Sequence, residues 1–363
     1  MRSRSAGLLL AAVVVAGLAT FAVMRRESAT TASNVSQIVL PQLASRINET
    51  TAMEITGPKG AFRVTRDAEG RWIMPEKSGY PANADKIRKS ILGMSELAAV
   101  ESRTDNPAQY ERLGVGDPGA GSSSIGVRLL DGSGRDLANL IVGKTKSPES
   151  DQRPAEIYVR RPGEAGSWLA KGRLGIAAES VEWLEREVLR LKRERVAEVV
   201  VTHADGEKVR VFRGQPDAAD FTLAGIPKGK VATSAYDVNA VPGALEFVTF
   251  EDVRRAADLN IGAGTANARY KTFDGLVITV RTAARDSKFW ARFEIGAEIA
   301  TVSLGGAGLL DAEAVKKQAA EWQARVADWV YQIGDYQAKD LTRRLTDLVR
   351  EEEKAPAEKK NGS

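Results

Sequence analysis

AMEITGPKGAFRVTRDAEGRWIM, residues 52–74, is the stretch on which the fold turns. Apolar side chains alternate along it, Met53 with Ile55, Phe62 with Val64 and Trp72 with Met74, and the stretches between carry turn chemistry in Pro58-Lys59-Gly60 and Asp67-Ala68-Glu69-Gly70. A period of two puts each pair on one face of a pleated strand, so the segment reads as a three-strand meander.

Downstream, Pro75 to Pro81 reads as a loop, after which Asn83 or Asp85 caps a helix carrying Ile87, Ile91, Leu92 and Leu97. A strand at 98–103, a loop with Tyr110 and Leu113, and hairpin strands at 125–130, 136–142, 157–160 and 167–170 follow. Upstream, residues 38–47 are expected to form a short entering helix interrupted by Pro41.

The same order recurs. After a helix expected over 178–195, VVVTHADGEKVRVF at 199–212 repeats the paired strands around Ala204-Asp205-Gly206. Phe221 and Leu223 stand where Trp72 and Met74 stood, Pro227 and Gly229 where Pro75 and Gly79 stood, and Asp237 where Asp85 stood. Strands at 247–250, 270–273, 277–282 and 289–295 complete the second set, with Pro242 shortening or kinking its helix. Ala319, Trp322, Val326, Trp329 and Ile333 then recur at helical spacing, Gly334 breaks the run, and Leu341, Leu345 and Leu348 form a second stripe, which together predict a helix pair with both tryptophans in the core.

The expected fold class is therefore α+β: an N-terminal transmembrane helix, two degenerate copies of an antiparallel-sheet-plus-helix unit and a closing helix pair. In residues, this is an anchor at 1–26, a tether at 27–37, repeat units at 38–176 and 177–305, the helix pair at 306–350 and a disordered charged tail at 351–363.

The anchor rests on the uncharged run at 6–24, bracketed by Arg2 and Arg4 on one side and Arg25 and Arg26 on the other. It is long enough to span a hydrocarbon core of roughly 30 Å as one helix. A cleaved secretory signal is the competing reading, but the run ends in Phe21, Val23 and Met24 with no A-x-A site. The flanking arginines nearly cancel, so charge bias does not set the orientation. The chain has no cysteine, which fits an oxidising compartment, and the bulk of the chain is expected outside the cytoplasm.

Composition excludes several classes of function. The net charge of +4 comes from 52 basic and 48 acidic side chains without a basic block, so no nucleic-acid footprint is present. The densest basic stretch, 186–195, interleaves Glu185, Glu187 and Glu194 and reads as a solvated helix face. The single histidine, His203, precedes a turn and is expected to be an exposed turn residue; without Cys or a second His, no ordinary zinc ligand set exists. There is no G-x-S-x-G elbow or P-loop, and Gly114-Val-Gly116-Asp-Pro-Gly119 matches a dinucleotide string without opening a helix. Asp85 and Asp237 have a sufficient explanation as helix-start residues, and Glu251-Asp252 falls in a loop. No catalytic, cofactor-binding or metal residues are assigned. Trp72 with Tyr80 and Phe221 with Tyr236, aromatics at matched places, are the possible interaction residues, with burial in each core as the competing reading.

Trp72-Ile-Met-Pro75, Tyr80-Pro81-Ala82, the helix start at Asp85, Tyr110, Leu113-Gly114 and Val142-Gly143 resemble the DUF4340 family of bacterial envelope proteins. Val181-Glu-Trp-Leu184, Arg195-Val196, Asp205-Gly206, Trp329-Val-Tyr-Gln-Ile333 and Leu345 to Leu348 are similar to its single-pass members, and the resemblance runs from Pro41 to Val349. It implies an accessory subunit of a gliding-motility-type ABC export system in the bacterial inner membrane, its bulk periplasmic, beside an ABC-2 type permease and its ATPase. It carries over no catalytic residues. A freestanding envelope enzyme acting on glycan or peptide, or a structural envelope scaffold, is the alternative.

Overall fold

The computed structural model describes residues 37–262, 264, 266–299 and 308–352. The expected anchor at 6–24, the tether up to residue 36 and the tail from residue 353 lie outside the described residues. No helix among the described residues is long and apolar enough to cross a membrane. They form a mixed α+β chain of mostly antiparallel sheets with six α-helices, divided into two units. The first holds the chain up to Glu76 together with Pro81–Trp183, and the second holds Lys77–Tyr80 together with the chain from Leu184 onward.

The first described strand is β1 (Gln37–Ile38). The helix expected over 38–47 is absent: Leu43 and Arg46 donate to the carbonyls three residues back, closing successive turns that end in a single 3-10 turn at Ile47–Glu49. Val39, Leu40 and Leu43 are buried, an apolar cluster too short to repeat over the turns a helix nucleus needs.

The meander forms as its alternation requires. Strands β2 (Ala52–Gly57), β3 (Gly60–Arg66) and β4 (Trp72–Met74) pair with Met53 opposite Val64 and Ile55 opposite Phe62, and all six alternating apolar side chains are buried. After β5 (Tyr80–Pro81), Asn83 caps α1 (Ala84–Ser95) by accepting from the Lys86 amide at 2.8 Å. Ile87, Ile91 and Met94 face inward, whereas Leu92 faces solvent. There follow β6 (Ala98–Ser102), the short α2 (Tyr110–Leu113), β7 (Ile125–Leu130), β8 (Asp136–Ser147), β9 (Ala155–Arg160) and β10 (Ser167–Gly172). Gly114, at φ +67°, ends α2 in the left-handed conformation, so the glycine string at 114–119 serves as a helix stop. The sheet order is β1-β6-β10-β9-β8-β7-β2-β3-β4-β5.

No helix occupies 178–195. A 3-10 turn at Ser180–Trp183, the strand β11 (Glu187–Leu189) and a 3-10 turn at Arg193–Arg195 stand there. The reason is backbone pairing: Glu187 and Leu189 pair with Thr249 and Val248, and the Leu191 amide donates to the Leu245 carbonyl at 2.8 Å. Those partners lie more than fifty residues on, where helical propensity does not see them. The basic stretch is accordingly not a solvated helix face, and Arg195 is buried.

The second unit continues with β12 (Val196–His203), β13 (Lys208–Phe212), β14 (Thr222–Leu223), β15 (Lys230–Ala232) and α3 (Ala235–Gly243). Then come β16 (Val248–Thr249), β17 (Asp252–Arg255), β18 (Ala266–Thr272), β19 (Leu276–Arg285) and β20 (Lys288–Ala297). It ends with α4 (Ala312–Val326), β21 (Trp329–Ile333), α5 (Asp335–Leu341), α6 (Leu345–Leu348) and β22 (Val349–Glu351). Its main sheet has the order β14-β13-β12-β18-β19-β20-β21-β17, and β15 with β22 forms a small separate pair.

This order matches the run β4-β3-β2-β7-β8-β9-β10-β6 in the first unit, strand for strand. Each has a three-strand meander beside a four-strand one, with the strand that follows the helix at the far side. One difference is α4, inserted between β20 and β21 where β9 and β10 join by a short loop.

The expected C-terminal helix pair is corrected by the same comparison. Val315, Ala319, Trp322 and Val326 do form the buried face of α4, which packs on β19 and β20. Trp329 to Ile333, however, is a strand with all five residues buried, paired with β17 on one side and β20 on the other. A strand buried on both faces shows a continuous apolar run with no alternation, so spacing alone placed its ends on a helix. Leu341 ends α5, and Leu345 and Leu348 belong to the separate one-turn α6.

Candidate interaction site

In the second unit, Ser234 caps α3 by accepting from the Asp237 amide at 3.1 Å, and Pro242 is buried near the end of this nine-residue helix. The Tyr270 hydroxyl donates to the Val241 carbonyl at 2.9 Å and holds α3 to the sheet. Alongside runs α5. The Gln337 side-chain amide donates to the Ala244 carbonyl at 3.0 Å, and Arg343 lies 3.0 Å from Asp340 and 3.7 Å from Asp237. The end of one helix therefore lies beside the start of the other.

Between them is an open groove of about 650 Å³. Phe247 and Tyr336 line it and are 52% and 90% exposed, while the lining residue Phe250 is buried. Charged side chains complete the lining: Arg186, Glu251, Asp335 and Asp340. Arg186 donates to the Phe250 carbonyl at 3.2 Å, and Glu251 accepts from the Gln332 side-chain amide at 2.7 Å. The groove thus sets two exposed aromatic rings beside charged side chains, and a large rigid ring can give contact area at little entropic cost.

The four sequence candidates are not brought together. Trp72 is buried on β4 with the Arg66 guanidinium 5.0 Å from its ring centre. Tyr80 is buried against Trp329, Phe250 and Tyr331 at ring separations of 4.8, 5.3 and 6.2 Å, all edge to face, and its hydroxyl donates to the Glu185 carbonyl at 3.2 Å. Burial above all pushes its ionisation well above the ordinary tyrosine range. Phe221 is buried beneath the Arg213 guanidinium at 4.6 Å. Tyr236, on the first turn of α3, is 82% exposed.

Phe247 and Tyr336 were not singled out by the sequence. Phe247 borders a strand and reads as part of it, and Tyr336, three residues after Ile333, continues the spacing of the first apolar stripe past Gly334, so no local signal marks it as exposed.

The candidate chemical residues are committed elsewhere. His203 is buried, not exposed, with Nε2 3.2 Å from the Arg343 carbonyl, because the end of β12 is covered by the chain following α5. Asp252 pairs with Lys77 at 2.5 Å and Asp85 with Arg88 at 2.7 Å. The Ser234 hydroxyl holds the Asp237 carboxyl below the usual carboxylate range. Among the described residues, no group of three or more His, Asp or Glu side chains is placed to hold a metal ion. The first unit has a groove of its own, about 760 Å³, lined by α1 residues including Ser90 and Leu92 and by Glu149 and Arg173, which pair with each other at 2.5 Å.

A family model described as "Domain of unknown function (DUF4340)" matches residues 72–260, more than half of the chain. No solved structure matches it.

Proposed function

The chain belongs to the DUF4340 family, and on that premise we propose that it is a membrane-anchored accessory subunit of an ABC-type export system of the gliding-motility kind. Residues 6–24 hold it in the bacterial inner membrane as a single span, with its bulk in the periplasm, and it works by binding protein or cargo beside an ABC-2 type permease and its ATPase. The reading needs no chemistry of its own. The apolar run between arginine pairs supports the anchor, and the lack of cysteine suits the compartment. The two units are degenerate copies of one α+β unit, a reading supported by their common strand order.

The observation that carries the binding role is the pair of exposed aromatics, Phe247 and Tyr336, lining one groove of the second unit. Affinity capture of the full-length protein from gently solubilised membranes, beside a version with a foreign anchor, tests it. Recovery of a permease and its ATPase with both versions, lost on Tyr336→Ala, is the expected result. Recovery of neither would overturn the export assignment.

A further inference from the structure

We propose that the groove between α3 and α5 receives a cationic side chain, an arginine or lysine carried on an apolar segment of a protein partner. The proposal rests on the reading that this groove faces a protein, and does not depend on that protein being an exporter. Three carboxylates, Glu251, Asp335 and Asp340, line the groove against the single guanidinium of Arg186. Asp340 is already engaged by Arg343. Glu251 and Asp335 have no ion pair among the described residues, and Arg186 is turned to the Phe250 carbonyl.

Glu251 is also fixed in place. Its backbone amide donates to the Gln332 carbonyl at 2.8 Å while the Gln332 side chain donates back to its carboxylate. Gly334 faces it without a side chain: a Cβ there would stand 3.4 Å from Glu251 Oε1. The carboxylate is thus held beside a position left bare.

The aromatic lining fits the same occupant. Arginines stack on rings throughout this chain, on Trp72, Phe221, Trp290 and Trp329 among others, and Arg190 lies 4.4 Å from the centre of Phe247. Tyr336 has no cation over its ring among the described residues and is 90% exposed. An open aromatic face beside unpaired carboxylates attracts a cation by both the ring quadrupole and the Coulomb term. An anionic segment meets repulsion from the carboxylates, and a wholly apolar one desolvates Glu251 and Asp335 without bringing a compensating charge.

The test is a printed array of random decapeptides probed with the full-length protein in uncharged detergent, the strongest binders then being titrated in solution by fluorescence anisotropy. The expected binders carry Arg or Lys next to apolar residues, bind more weakly as salt rises, and lose about five- to tenfold in affinity to the Glu251→Gln/Asp335→Asn double variant. Tyr336→Ala weakens them as well, and Glu313→Gln, an exposed acid on α4, leaves them unchanged. The substituted side chains are all exposed, and Gln at 251 keeps an oxygen that can accept from Gln332, so unfolding midpoints measured alongside should stay close to the parent value. Binders without basic residues, or binding indifferent to the double variant, would overturn the cationic occupant. If Tyr336→Ala alone weakens binding, the groove remains a protein-binding site for a different segment. If neither change matters, or no peptide binds, the groove reading falls with it.

Discussion

Arg195 Nε donates to Asp274 Oδ2 at 2.8 Å, and both side chains are buried. The pair joins the start of β12 to the turn between β18 and β19. Arg195 Nη1 donates to the side-chain Oε1 of Gln318 on α4 at 2.8 Å, and the Leu310 amide donates to the Asp274 carboxylate at 3.1 Å. The inserted helix is thereby tied to the sheet by one buried charge network. Removing a single partner leaves an uncompensated charge in a poor solvent for it, so Asp274→Ala is expected to cost about 3–5 kcal/mol. Replacing both residues by apolar ones of similar volume is expected to be near neutral. Urea midpoints of the two variants check this.

The same carboxylate gives a pH dependence. Burial pushes the Asp274 ionisation up, but hydrogen bonds from Arg195, Thr272 and the Leu310 amide outweigh it and hold the carboxyl below its ordinary value. A carboxylate with a depressed value in the folded state stabilises the fold fully above the ordinary carboxylate value and loses that contribution as pH falls through the folded one. Stability measured from neutral pH into the acid range should therefore fall less steeply in Asp274→Asn than in the parent.

Gly93 on α1 packs against the segment after β10 so closely that a Cβ would lie 2.0 Å from the Arg173 carbonyl oxygen. Backbone cannot yield as a side-chain tip can, so Gly93→Ala is expected to destabilise by about 1–3 kcal/mol or more. Gly214 has no atom within 4 Å of such a Cβ and no positive φ. Gly214→Ala should stay within about 1 kcal/mol of the parent, on the stabilising side if anything. Thermal unfolding of the two variants separates close packing from a general intolerance of alanine.

Tyr80 fills an aromatic cluster with Phe250, Trp329 and Tyr331. Tyr80→Ala is expected to cost about 3–5 kcal/mol through the cavity it leaves. Tyr80→Phe keeps the ring and loses the hydroxyl's interactions with the Glu185 carbonyl and Tyr331, about 1–2 kcal/mol. Tyr236→Ala, at an exposed site, should change stability by no more than about 0.5 kcal/mol. Denaturant titration distinguishes these three, and partner capture by the Tyr236 variant reports on the surface without the confounding loss of fold that a Tyr80→Ala change would bring.

Ser234 caps α3, whose far end borders the groove. Ser234→Ala is expected to cost about 1 kcal/mol, and Ser234→Thr less, since the threonine hydroxyl can still accept from the Asp237 amide. Hydrogen exchange of the α3 amides reads this locally.

Legibility in the sequence followed the range of the interactions involved. Met53 with Ile55, Phe62 with Val64 and Trp72 with Met74 alternate within a few residues, and all six are buried in neighbouring strands as the alternation requires. The segment from 178 to 195 failed because its partner strand is remote, and Trp329 to Ile333 because a strand buried on both faces carries no period to read. His203 reads as exposed beside its turn, yet the chain after α5 covers it.

By itself the sequence determined the α+β composition, most strand positions, a helix start at Asn83 or Asp85 and the family, because turn chemistry, capping and alternation act between residues a few positions apart. Only the tertiary structure decided that Tyr80 is core and that Phe247, Glu251 and Tyr336 line one groove. Those side chains come from stretches more than eighty residues apart, and their exposure depends on which strands and helices pack between them, which no local pattern encodes.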